Sequence, residues 1–171
     1  MMPSLEEVAR QPLARRLARM AQTPDDYEAA IRGHDDAALS RRPEAAAWAA
    51  KEVVCHVRDN EEFVMARVRL IMAVDEPTFL GAQPDQVASI VARWAEDRQY
   101  LRQDTAAALV TFRRRRRESL DDLATLGPRD FARGGIHSVR GRMTIDDFVT
   151  QVAWHDDNHL DQIRRALEGK A

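Results

Sequence analysis

The stretch Ile145-Asp146-Asp147-Phe148-Val149-Thr150-Gln151-Val152-Ala153-Trp154-His155-Asp156-Asp157-Asn158-His159-Leu160-Asp161-Gln162-Ile163-Arg164-Arg165-Ala166, close to the end of a 171-residue chain, decides how the rest is read. Within it Ile145, Phe148, Val152, His155, His159, Ile163 and Ala166 recur at three- and four-residue spacing, so they share one helical face. Both histidines therefore fall in the stripe that should turn inward. Thr144 is placed to accept the amide of Asp147, and Asp146 and Asp147 suit the positive end of the helix dipole. The spacing predicts a last helix over 144–169, ending near Gly169.

Upstream, Ala49, Val53, His56, Asn60 and Phe63 fall on one face of a second long helix expected over 45–74. The N-terminal region, 1–44, reads as helix broken at Thr23-Pro24-Asp25, with Thr23 capping a new helix that has Pro24 at its first position. A third helix is expected over 85–126, open to a break near Asp104 and stopped by Gly127-Pro128. Residues 128–143 carry three glycines and read as a loop. The chain is rich in Ala, Arg, Leu and Glu and poor in alternating or β-branched runs. The expectation is an all-α chain with no β-sheet: a four-helix bundle forming one domain over 1–171.

Hydrophobic residues make up 44% and charged residues 32%, the balance of a water-exposed globular protein. No run approaches the roughly 18 apolar residues of a spanning helix, so no membrane segment is expected. Cys55 is the single cysteine and has no internal disulfide partner, and Glu6, Glu7 and Arg10 stand where a secretory signal would need an apolar run. These features make a reducing, cytoplasmic setting the expectation.

A net charge of -2 supplies no overall field for nucleic acid. The run Arg113 to Arg117 would spread around all sides of a helix, with Glu118, Asp121 and Asp122 near enough to pair, so a nucleic-acid partner is not expected.

His155 and His159 lie one helical turn apart, a spacing that lets two ring nitrogens reach one ion. Two histidines four apart also occur by chance and then merely hydrogen-bond. His56 changes the balance, because it too sits on an apolar face where an unpartnered imidazole is costly to bury. Three inward histidines on two helices, His56, His155 and His159, call for one shared partner, a divalent metal ion. Zinc is the default, with nickel or iron also suited to imidazole. His155-Asp156-Asp157-Asn158-His159 looks like the zinc-peptidase pattern of two histidines with a glutamate after the first. Asp156 is too short for that role, and Arg165 stands where the extended pattern needs a third histidine.

Of the neighbouring groups, Asp156, Asp157, Asp161 and Asn60 are candidate acceptors for ring N–H groups, Asp156 foremost. Cys55 points about 100° away from His56 and reads as a buried structural thiol. His34 reads as a surface residue, and His137 as a residue that could line the entrance. Trp48, Trp94 and Trp154 read as packing.

Two segments carry a resemblance. Trp48-Ala49-Ala50-Lys51-Glu52-Val53-Val54-Cys55-His56-Val57-Arg58-Asp59-Asn60-Glu61, and Gly141-Arg142-Met143-Thr144 followed by His155-Asp156-Asp157-Asn158-His159-Leu160-Asp161-Gln162-Ile163, resemble the two signatures of the DinB/YfiT-like metalloenzyme family. The resemblance covers nearly the whole chain. It implies a bundle with up-down-down-up connections, a metal held by three histidines matching His56, His155 and His159, and a homodimer. It also implies a small-molecule substrate, and in its better-understood members S-transfer or isomerisation with a low-molecular-weight thiol such as bacillithiol or mycothiol. The catalytic residues are left unassigned. Metal-assisted hydrolysis and a non-catalytic metal- or ligand-binding role remain open beside S-transfer.

Overall fold

Capping accounts for most helix starts in the computed structural model, which describes residues 2–171. Ser4 and Glu7 form a reciprocal capping box on the short α1 (Leu5–Ala9). Pro12 precedes α2 (Leu13–Ile31), and the Asp35 carboxylate accepts from Ala38 at the start of α3 (Asp36–Ser40). The long α4 (Ala50–Ala73) begins later than expected, because residues 45–49 form a turn whose Ala49 amide donates to Glu52. After β1 (Thr78–Phe79), α5 (Pro84–Asp97) is followed by a 3-10 turn at Tyr100–Arg102. Asp104 then caps α6 (Thr105–Ala124). The expected third helix is thus two helices, divided where Gln99 takes a left-handed φ of 52°. Thr144 caps α7 (Ile145–Leu167) through Asp147.

Two expectations fail. The break at Thr23-Pro24-Asp25 does not occur: α2 runs through Pro24, and Thr23 is interior, its hydroxyl 3.0 Å from the Arg19 carbonyl and 2.7 Å from Asp156. A proline inside a helix orphans the carbonyl four residues back, here that of Met20. The buried Arg116 guanidinium on α6 donates to that oxygen at 2.8 Å, so a tertiary contact replaces the missing local bond.

The second failure is the absence of sheet. Residues 128–143 contain β2 (Gly134–His137) and β3 (Gly141–Thr144), an antiparallel hairpin with Gly134 opposite Thr144, and β1 pairs parallel to β2 with Phe79 opposite His137. Strands of two to four residues, with β1 and β2 paired across more than fifty residues of sequence, leave no local periodicity to read. Gly135 is required there, since a Cβ would lie 2.5 Å from the Phe79 ring. The hairpin leads straight into α7, whose Ile145 amide is held by the Arg133 carbonyl at 2.9 Å.

Four helices form the bundle: α2 and α4 each pack against both α6 and α7. The diagonal pairs are therefore α2 with α4 and α6 with α7, while the consecutive α4 and α6 are neighbours. Contacts pair Arg16 with Asp146 and Tyr27 with Asp156, so α2 and α7 run in parallel. Asp59 with Arg115 and Arg69 with Asp122 make α4 and α6 parallel, while Met20 with Arg116 and Glu28 with Arg113 make α2 and α6 antiparallel. The order is up-down-down-up.

Two apolar layers fill the interior, one around Met20, Met65, Val68 and Phe148, the other around Tyr27, Val53, Phe112 and Ile163. Between them Arg116, 2% exposed, pairs with Glu61 at 2.8 Å and Asp156 at 3.0 Å. The rest of the arginine run scatters as its helical angles require. Arg113 pairs with Asp25 and Glu28, Arg114 with Glu118, and Arg115 with Asp59 and Glu62. Asp122, an expected partner of the run, pairs instead with Arg69. Among the described residues no helix is long and apolar enough to cross a membrane.

Candidate metal centre

Because α4 and α7 pack against each other, one histidine of α4 meets two of α7. The Nε2 of His155 lies 3.2 Å from that of His56 and 3.0 Å from that of His159. One nitrogen from each ring lies within 4.8 Å of the other two. Ligand nitrogens at about 2.0–2.1 Å from a tetrahedral ion stand roughly 3.3 Å apart, so the two contacts of His155 have the spacing of ligands on one ion. Neutral imidazoles meeting edge to edge in this way cannot all satisfy one another through one shared proton, whereas an ion accepts all three lone pairs.

The surroundings favour the neutral, ligand-ready form. Burial, with His159 second, holds His56 down at about 3, and burial holds His159 at about 4. Burial also keeps His155 well below the ordinary histidine range, with its two histidine neighbours adding to the effect. The amide oxygen of Gln162 lies 2.7 Å from His159 Nδ1. A proton on Nδ1 donated to that oxygen leaves the Nε2 lone pair free. Trp48 covers the His56 ring, with centroids 5.0 Å apart. His56 Nδ1 is buried without a hydrogen-bond partner, so this ring is held by packing and by whatever its Nε2 meets.

The aspartates do other work. Asp156, the foremost expected ring acceptor, turns into the core to Arg116 and Thr23; Asp157 pairs with Arg19 and Asp161 with Arg165. Their side chains leave the helix at angles away from the imidazole stripe, and Gln162, three residues past His159, has the needed direction. That one-turn offset was a signal available in the sequence. Cys55 is fully buried, its thiol pushed up to about 11 by burial. His34 is exposed, and Trp154 packs against the apolar layer around Phe148.

A cleft of about 760 Å³, including its open mouth, reaches His56. Phe63 on α4 and Val87, Ile90 and Trp94 on α5 give it an apolar wall, with Phe63 and Trp94 edge to face at 5.4 Å. Asn60, one turn beyond His56, lines it, as does Gln151 on α7. His137, brought up by the β-hairpin, lines it too, together with Arg67 and Arg140. Among the residues that line it there is no Asp or Glu. This set could not be found from helical spacing alone, because α5 and the hairpin approach from distant parts of the chain.

The arrangement has relatives. A protein of Oceanobacillus iheyensis named "Putative metal-dependent hydrolase OB0413" is 21% identical over 141 residues, covering 80% of this chain and 75% of that protein. The structure of YfiT from Bacillus subtilis, described as a probable metal-dependent hydrolase with an unusual four-helix bundle topology, superposes with a TM-score of 0.80 at 18% identity. That match covers 99% of this chain and 91% of YfiT, and establishes the shared fold. The sequence profile of the DinB superfamily matches residues 19–163, a span that takes in α4 and α6 whole, most of α2 and α7 and the three converging histidines, and the chain belongs to that superfamily.

Proposed function

We propose that this protein is a metal-dependent enzyme in which His56, His155 and His159 hold one divalent ion, zinc foremost, and a small thiol is joined to an electrophile bound along the cleft. The convergence of three Nε2 atoms, with the cleft reaching the His56 ring, carries this reading. An ion held by three imidazoles keeps a coordination position open and supplies Lewis-acid activation of the nucleophile placed there. Gln162 fixes the His159 ring by accepting its Nδ1 proton, and Trp48 fixes His56. The apolar wall of Phe63, Val87, Ile90 and Trp94 excludes water from an electrophile's body, while the Asn60 and Gln151 amides offer neutral donors and acceptors.

One observation favours a thiol over water as the nucleophile. The cleft offers no carboxylate to act as general base. A thiol, with an ordinary pKa of about 8.5, needs far less help to ionise than water at about 15.7. The names of the relatives point to hydrolysis, so the test must separate the two. Metal content of the purified chain is measured first, with loss expected in His56→Ala and His159→Ala. Mass spectrometry of an electrophile panel, with and without added low-molecular-weight thiols, then reads the chemistry. Thioether products requiring both metal and thiol support the proposal; metal-dependent products formed equally without thiol refute S-transfer in favour of hydrolysis.

A further inference from the structure

The cleft carries two guanidinium groups that the three-histidine centre does not use. Arg67 on α4 donates to the Leu80 carbonyl at 2.8 Å and lies over the Phe63 ring at 4.1 Å, and no carboxylate pairs with it. Arg140, in the turn between β2 and β3, has no side-chain partner among the described residues and is exposed. In a chain where most interior and half-buried arginines pair with an acid, the unpaired Arg67 stands out, and Arg140 brings a second cation to the same cleft. Burial, and then the Arg140 charge, hold Arg67 below its usual pKa, so the two cations sense each other. Holding like charges together without an anion is unfavourable.

His137 completes the set. The backbone amides of Val139 and Arg140 both donate to its Nδ1 at 3.2 Å, which puts the ring proton on Nε2. That Nε2–H has no acceptor among the described residues. The ring is pressed against Gly81, where an added Cβ would sit 1.9 Å from Cε1, so the imidazole is fixed in place. Two guanidinium forks and one oriented N–H, with no acid in the cleft, are the donor set that recognises an oxyanion.

We propose that Arg67, Arg140 and His137 form a subsite for the oxyanion headgroup, carboxylate or phosphate, of a small molecule whose apolar body lies along Phe63, Val87, Ile90 and Trp94. The proposal rests on the reading of this cleft as the substrate site, and adds the substrate's class: an amphipathic anion whose charged end is held by Arg67, Arg140 and His137 and not by the three-histidine centre.

Direct binding tests this without requiring turnover. Calorimetry on the full-length chain, metal-loaded and chelator-treated, would use 4-phenylbutyrate, 2-phenylethyl phosphate and the neutral 4-phenylbutyramide. Both anions, or whichever headgroup fits, should bind at least about tenfold more tightly than the amide, as expected for charge-assisted hydrogen bonds. The preference should persist after chelation. Arg140→Gln, at an exposed position that the fold does not need, should reduce it about fivefold or more, and Arg67→Gln likewise, with Arg67→Lys retaining part of it. The stronger of the two anions identifies the headgroup. Equal binding of anions and amide, or an anion preference that survives both arginine variants and disappears on chelation, would overturn the subsite, the latter by assigning the anion to the metal. Failure of the thiol-transfer assay would leave these outcomes unaffected.

Discussion

Replacing Arg116 by Met probes the feature that joins all four bundle helices. Arg116 touches the Met20 carbonyl of α2, Glu61 of α4 and Asp156 of α7, and neither carboxylate is more than 2% exposed. Met fills much of the space but leaves two buried carboxylates facing each other and an orphaned Met20 carbonyl. Removing one partner of a buried ion pair costs about 3–5 kcal/mol. Protonation sets a ceiling: forcing a carboxyl of ordinary pKa about 4 to stay neutral at pH 7 costs about 4 kcal/mol per group. The pH dependence follows in sign. In the variant the folded carboxyls have raised pKa values, so the folded state binds more protons than the unfolded one above pH 4, and the loss grows as pH rises.

Urea unfolding followed by circular dichroism should show a deficit of about 3–5 kcal/mol at pH 7, smaller at pH 5 and larger at pH 8. Adding Glu61→Gln and Asp156→Asn to Arg116→Met should recover much of the deficit, since it removes the unpaired charges. Because Asp156 adjoins His155, the single variant should also bind metal more weakly. A deficit under about 1 kcal/mol at pH 7, the level of an ordinary surface pair, with no dependence on pH, would refute the account.

Gln162→Leu, which deletes the acceptor of the His159 ring proton, should weaken metal binding about 10–100-fold while Gln162→Glu retains it, measured by competition with a chromophoric chelator. In the metal-free protein His56, at about 3, and His159, at about 4, lie below the unfolded value of about 6.5. Their contribution to stability is complete above pH 6.5 and is lost as pH falls toward those values. The urea midpoint should drop between pH 7 and 5, and a variant with His56, His155 and His159 all changed to Leu should lose most of that drop. Metal affinity should decline in the same direction as protons compete for the rings. Gly135→Ala places a methyl 2.5 Å from the Phe79 ring and the Pro77 carbonyl, and should cost about 1–3 kcal/mol in thermal or urea unfolding.

The helical content, the inward stripe of α7, its Thr144 cap and the pairing of His56 with His155 and His159 were legible in the chain itself. The histidine pairing was inferred because each imidazole falls on the inward face of its own helix; the first three depend on spacing along one helix or on local capping, which reach no further than a few residues. The break at Pro24 was misread for the same reason. A proline's local cost is visible in sequence, but its remedy, the Arg116 guanidinium on the Met20 carbonyl, comes from 96 residues away. Asp156 was likewise assigned to the wrong partner, because helical angle decides which of two adjacent side chains faces the centre and which the core.

The short sheet, the cleft and the place of Arg67, Arg140 and His137 within it were settled only by tertiary structure. β1 and β2 are each too short to leave a periodic pattern, and the hairpin that carries His137 reaches the cleft because Gly135 lets Phe79 pack against its backbone. The sequence alone determined that three imidazoles would lie on the inward faces of two helices. Packing determined what else meets them there, since the residues around a cleft are neighbours through folding and not through spacing along the chain.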